Sequence, residues 1–139
     1  MSVLTLGQVR IHSGSSTQEA ALQEATDILV SAGAVTPAYV DAMRQREETV
    51  STYMGNGLAI PHGTNDAKSA IRRSAISFVR YPNGLDWNGH QVHFVVGIAG
   101  AGDDHLALLS NLSKVFVDRD KVAQLEAAKT VAEVRRILG

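Results

Sequence analysis

The stretch from Val92 to Ala99, read Val-His-Phe-Val-Val-Gly-Ile-Ala, is the most apolar in the chain and constrains the fold most. It has no polar face to turn towards water, so it predicts a strand covered on both sides in the middle of a sheet. Gly100 and Gly102 break the run. A strand buried on both faces needs layers on either side of the sheet, and the remaining sequence supplies helices for them.

The first helix is expected from about Thr17 to Ala32. Ser16 can cap it, with Glu19 three residues on as in a capping box. Leu22, Ala25, Ile28, Leu29 and Ala32 form one apolar stripe, and Gly33 is the stop signal. A second helix is expected at Thr36-Pro37, with Val40 and Met43 inward and an end near Glu47-Glu48. Gly57 to Ile60 reads as a short buried strand ended by Pro61. Ser74 to Tyr81 reads as a longer strand, with Ile76 and Phe78 on one face and Pro82-Asn83-Gly84 as the turn after it. A third helix is expected from about Asp104 to Val117, and two short ones close the chain. The last of these opens on the capping box Thr130-Val131-Ala132-Glu133. Some strands follow one another directly while others alternate with helices. The expected fold is therefore α/β, a mixed parallel and antiparallel sheet with helices on both faces.

Size and composition limit what such a fold can do. At 139 residues, 45% of them hydrophobic, the chain suffices for one domain with a proper core, taken as 1–139. It has no cysteine, which excludes disulfides, thiolate catalysis and cysteine-based zinc sites. The net charge is −1 and no basic stripe is present, so nucleic acid is not an expected partner. The start, Met1-Ser2-Val3-Leu4-Thr5, lacks the basic and apolar regions of a signal peptide, and no apolar run is long enough to span a membrane. A cytoplasmic location is expected.

The strongest chemical feature is Gly55-Asn56-Gly57-Leu58-Ala59-Ile60-Pro61-His62-Gly63-Thr64. Proline ends the strand, so His62 should sit just past it, where open α/β sheets hold ligands. Gly63 would let backbone amides approach an anion closely, and Thr64 adds a hydroxyl. Read alone, His62 is equally a structural histidine at a turn. His105 opens a helix just beyond the central strand, where a helix N-terminus favours anions, but judged alone it reads better as a partly exposed surface histidine. Arg44 and Arg46 end the second helix, either as solvated cations or as guanidinium forks for a phosphate. His12, His90 and His93 read as structural or exposed. Gly100-x-Gly102 fails as a dinucleotide fingerprint because histidine stands at 105. No serine stands in a strained nucleophile turn, which argues against a hydrolase using His62 with Asp103 or Asp104. No metal site and no cofactor are expected.

The run GNGLAIPHGT resembles the phosphorylation motif of the mannitol/fructose-type (type 2) enzyme IIA domains of the bacterial phosphoenolpyruvate-dependent sugar phosphotransferase system. Tyr39 to Glu47 resembles the helix before that motif, and Val95 to Ala99 followed by Asp104-His105-Leu106 resembles the family's later strand and helix. The resemblance implies that His62 accepts a phosphoryl group through Nε2, that His105 lies beside it, and that Arg46 rather than Arg44 is the site arginine. It implies Gly63 and Thr64 as phosphate-stabilising groups. It further implies the histidine-containing phosphocarrier protein as donor and an enzyme IIB domain or subunit as acceptor. No nucleotide or metal is needed when the donor is itself a phosphoprotein. Asp66-Ala67-Lys68 leans towards the mannitol branch; the alternative is a regulatory, nitrogen-type module uncoupled from transport. Partners docking around His62 would meet an apolar rim, for which Met54, Leu58 and Leu106 are candidates, although burial in the core is the expected fate of each. The chain is then either a separate subunit or one domain of a larger protein.

Overall fold

The computed structural model describes residues 3–64 and 69–138, so the reading of Asp66-Ala67-Lys68 lies outside the described residues. Five strands, β1 (Val9–Ile11), β2 (Tyr53–Gly55), β3 (Leu58–Ala59), β4 (Ala75–Trp87) and β5 (His90–Ala99), form one sheet in the order β1-β4-β5-β3-β2. The apolar run is the middle strand, and from Val92 to Ala99 only His93 is not buried. The sheet is mixed: β1 runs parallel to β4 and β3 parallel to β5, while β4 with β5 and β2 with β3 are antiparallel.

Helices cover both faces. On one, α1 (Gln18–Ser31) and α2 (Tyr39–Thr49) pack Leu22, Leu29 and Met43 against Val79 and Val95. On the other, α3 (Asp104–Phe116), α4 (Arg119–Ala127) and α5 (Val131–Leu138) bury Leu112, Phe116, Leu125 and Val134 against Phe78 and Phe94. The Phe94 and Phe116 rings meet edge to face at 5.4 Å. Fully burying each such side chain contributes about 1.5–3 kcal/mol, and it comes from both faces of the β4–β5 pair.

Several boundaries differ from the sequence expectation. The cap of α1 is Thr17, not Ser16: its Oγ1 accepts from the Ala20 amide at 3.1 Å. The register thus moves by one, and Glu19 turns outward to Arg44 instead of closing a capping box. Gly33 does end α1. With φ +73° it lets its own amide reach Val30 O and the Ala34 amide reach Leu29 O, the paired bonds of a Schellman motif. Thr36-Pro37 lies before α2, which starts at Tyr39 after a turn closed by the Tyr39 amide on Thr36 O, and runs on to Thr49.

The largest correction concerns the hairpin. Pro82-Asn83-Gly84 is not its turn; β4 continues to Trp87 and the chain reverses at Asn88-Gly89. Both turn residues have positive φ, 53° and 91°, as a two-residue type I′ turn requires. Leu85 and Trp87 are buried, and their period of two carries the strand past the proline. The surplus residues 81–84 are absorbed as a bulge facing His93 alone, between the pairs Arg80↔Phe94 and Leu85↔Val92. The strands β1 and β2, three residues each, carry too little periodicity to announce themselves.

Candidate functional site

Strand β3 delivers His62 to the C-terminal end of β5. Leu58 and Ala59 pair with Phe94 and Val95, and the parallel alignment extends to His62 opposite Ile98. Pro61 has no amide to donate but accepts from the Ile98 amide at 3.0 Å. His62 Nδ1 lies 2.8 Å from the carbonyl of Ile60, two residues back in its own chain. A carbonyl only accepts, so Nδ1 carries the proton and Nε2 keeps its lone pair. Burial, with a further push from the positive charge of Arg46, holds the His62 pKa below the ordinary histidine value against the opposing pull of the Ile60 bond. The ring is therefore a neutral base at pH 7.

The continuation of β5 brings in the second histidine. His105 is in the first turn of α3, and its ring centroid lies 4.9 Å from that of His62 at an interplanar angle of 57°. This approach depends on Gly100: a Cβ there would fall 2.7 Å from His105 Cα and 2.8 Å from its amide nitrogen. Ser74, just before β4, pins the intervening loop. Its Oγ accepts from the Ala101 amide at 2.9 Å and donates to the Asp104 carboxylate at 2.5 Å.

Helix α2 contributes from the facing layer. Arg46 is half-buried and lines the same cleft of about 610 Å³ as His62, Thr64, His105 and Leu106. Arg44 does not. Its guanidinium is engaged by Glu19 and by Asp41 at 2.7 Å and lines a separate cleft beside Glu47 and Glu48. Two residues along a helix amount to a rotation of about 200°, which is why one arginine lines the His62 cleft and the other a separate one.

Gly63 plays a different part from the amide donor expected of it. Its N–H already donates to the Tyr39 hydroxyl at 2.9 Å, so it is not free for an anion. What requires glycine is space: a Cβ would sit 2.7 Å from the Tyr39 ring and 3.2 Å from Ala42 Cβ. Thr64 lines the cleft. The sequence reading placed Tyr39 at the start of α2 but missed the role of its hydroxyl. An aromatic at a helix start signals core packing, and nothing in a single sequence shows where its hydroxyl ends.

The other polar candidates lie elsewhere. His12 meets Glu24 at 3.0 Å, His90 stacks on Tyr53 at 4.2 Å, and His93 Nδ1 meets Tyr81 O at 3.1 Å. Asp103 borders the cleft, whereas Asp104 is tied to Ser74. Among the described residues no three His, Asp or Glu side chains are grouped to hold a metal ion, and no helix is long and apolar enough to cross a membrane. Of the rim candidates, Leu58 is buried, but Met54 and Leu106 are 54% and 76% exposed, contrary to their expected burial. Met54 is on an edge strand, and Leu106 is on the outer side of the first turn of α3.

A neutral imidazole with its lone pair available, a guanidinium sharing the cleft and a helix N-terminus together suit an anionic electrophile: the ring attacks while the positive groups hold the charge.

Comparison with known proteins bears on which electrophile that is. A model of the family "Phosphoenolpyruvate-dependent sugar phosphotransferase system, EIIA 2" matches residues 2–139. The mannitol-specific phosphotransferase enzyme IIA component of Staphylococcus aureus is 45% identical over 121 residues, covering 87% of this chain and 84% of that protein. Its counterpart in Halalkalibacterium halodurans is 38% identical, covering 99% and 95%. Among solved structures, enzyme IIAMTL of Escherichia coli in complex with phosphorylated enzyme IIBMTL superposes with a TM-score of 0.90 at 30% identity, over 97% of this chain and 96% of that one.

Proposed function

The chain belongs to the EIIA 2 family of the phosphoenolpyruvate-dependent sugar phosphotransferase system, and from that premise we propose that His62 is its phosphoryl acceptor, with Arg46, His105 and Thr64 stabilising the transferred group. The observation that supports the assignment best is the bond from His62 Nδ1 to Ile60 O, which leaves the lone pair on Nε2 for attack. The Nε2 lone pair attacks the phosphorus of a phosphohistidine on the histidine-containing phosphocarrier protein. A new N–P bond forms as the donor's N–P bond breaks, and the donor imidazole leaves with that electron pair. Transfer needs little beyond alignment in line and charge stabilisation, which Arg46 and the first turn of α3 supply. The protein is a phosphotransferase component of sugar uptake, and mannitol is the proposed sugar, supported by two mannitol-specific relatives at 45% and 38% identity. The proposed acceptor is an enzyme IIB domain or subunit, supported by the Escherichia coli complex. Residues 1–139 act as one domain in the cytoplasm, where both phosphoprotein partners would meet it.

Incubation with phosphoenolpyruvate, enzyme I and the phosphocarrier protein tests this, followed by intact mass and acid lability of the adduct. The expected result is one acid-labile phosphoryl group, absent from His62→Ala. A His62→Ala protein that still gains phosphate sinks the assignment. Onward transfer to a mannitol-type enzyme IIB, faster than to a fructose-type one, is the expected mark of the sugar.

A further inference from the structure

The Tyr39 hydroxyl joins the two backbone groups that bracket His62. It donates to the carbonyl of Ile98 at 2.8 Å and accepts from the amide of Gly63 at 2.9 Å. Ile98 is the residue opposite His62 in the sheet, and Gly63 is the residue after it. In a parallel pair of this register the amide after His62 faces the Ile98 carbonyl, and the Tyr39 hydroxyl is hydrogen-bonded to both groups. The hydroxyl comes from α2, the helix that also carries Arg46. Positions 39 and 46 are seven residues apart, about two turns, and so share a face. Tyr39 is 2% exposed, and its ring fills the space that Gly63 leaves open. Burial also raises its pKa, so the hydroxyl keeps its proton and remains a donor at any physiological pH.

We propose that Tyr39 is a positioning residue for phosphoryl acceptance, its hydroxyl fixing the His62 turn against both the end of β5 and the helix that presents Arg46. Without the hydroxyl, the Gly63 amide and the Ile98 carbonyl lose their shared partner, and the turn can settle into other geometries. The His62 ring then spends part of its time off the Ile60 carbonyl, which scrambles which nitrogen holds the proton. This rests on His62 being the acceptor.

Tyr39→Phe keeps the ring and removes only the hydroxyl. Its test is the rate of phosphorylation by the phosphocarrier protein, with the His62 ring tautomer read from side-chain 15N shifts. Val134→Ala, in the core far from the cleft, serves as a control for lost stability, and all proteins are assayed at a temperature where circular dichroism shows them folded. The expected result is a kcat lower by about 10- to 100-fold with KM for the donor little changed, and mixed tautomers in place of a single Nδ1–H form. A Tyr39→Phe rate within about twofold of wild type, a loss matched by Val134→Ala, or an unchanged single tautomer overturns the proposal. Wild-type protein that is phosphorylated elsewhere than His62 would instead fail the acceptor assignment, so the two failures are told apart.

Discussion

Gly100→Ala is the sharpest test of how the two histidines are brought together. The added Cβ would stand 2.7 Å from His105 Cα and 2.8 Å from its N and Cβ. All three atoms belong to the first turn of α3 at its root, so no side-chain rotation relieves the overlap. Restoring an ordinary contact of about 3.4 Å needs a displacement of about 0.7 Å (3.4 less 2.7), carried by the helix start or by the end of β5. Overpacking of this kind costs about 1–3 kcal/mol, or several degrees of Tm for a domain of this size. The functional loss should be larger in proportion, because a misplacement near 1 Å can cost about 100-fold in rate. Gly102→Ala is the natural comparison. Its Cβ meets nothing within 4 Å, and only its φ of +59° is unfavourable, so it should lose stability of about 1 kcal/mol and keep the rate within a few fold. The assay is single-turnover phosphoryl transfer from the phosphocarrier protein, with thermal unfolding of each variant alongside. A Gly100→Ala protein with wild-type rate would refute the claim that His105 must sit where the close approach puts it.

Three further outcomes are expected. Arg46→Ala should slow phosphoryl acceptance without unfolding the protein and let the His62 pKa rise towards the ordinary histidine value, as followed by NMR titration; an unchanged rate and pKa would remove Arg46 from the site. Because the folded His62 pKa lies below the unfolded one, the unfolded chain takes up the proton first as pH falls, so stability should drop between the ordinary value and the depressed one, and His62→Gln should lack that part of the acid sensitivity in urea unfolding across pH. Glu47→Ala should destabilise by about 1–3 kcal/mol, read from the fluorescence of Trp87, the only tryptophan, because the carboxylate accepts from Trp87 Nε1 at 3.2 Å and from the Thr52 amide at 3.1 Å.

What the sequence revealed was whatever depended on local pattern. Val92 to Ala99 announced the central strand because a doubly buried strand has to be apolar throughout. Pro61-His62 announced a strand end because proline cannot continue the ladder. What stayed hidden was decided by distant partners. Pro82-Asn83-Gly84 looked like the hairpin turn until Leu85 and Trp87 found a core to enter, which shifted the turn to Asn88-Gly89. Arg80 is buried in the sheet because it donates to the carbonyls of Leu125 and Ala128 at the end of α4, a pairing 45 residues and more away in sequence. Within the candidate site, the two histidines and a helix-end arginine stood out by residue type and position, whereas the choice of Arg46 over Arg44 came only from the family resemblance. The use of the Gly63 amide and the Tyr39 hydroxyl was not legible, since each depends on the other across 24 residues.

With His62 as the proposed acceptor, the bond between its Nδ1 and the Ile60 carbonyl also sets the charge balance of the proposed cycle. When Nε2 takes up a phosphoryl group, the proton on Nδ1 stays where it is, and the ring becomes an imidazolium steadied by a backbone oxygen. When the group moves on, the departing nitrogen takes back the electrons of its bond and the ring is neutral again, with the same proton in the same place. Loading and unloading thus need no proton from water and none from a neighbouring side chain. Whichever partner takes the group from it, the His62 ring leaves as an uncharged imidazole, so the charge change at this site is the same whether the group moves on or back.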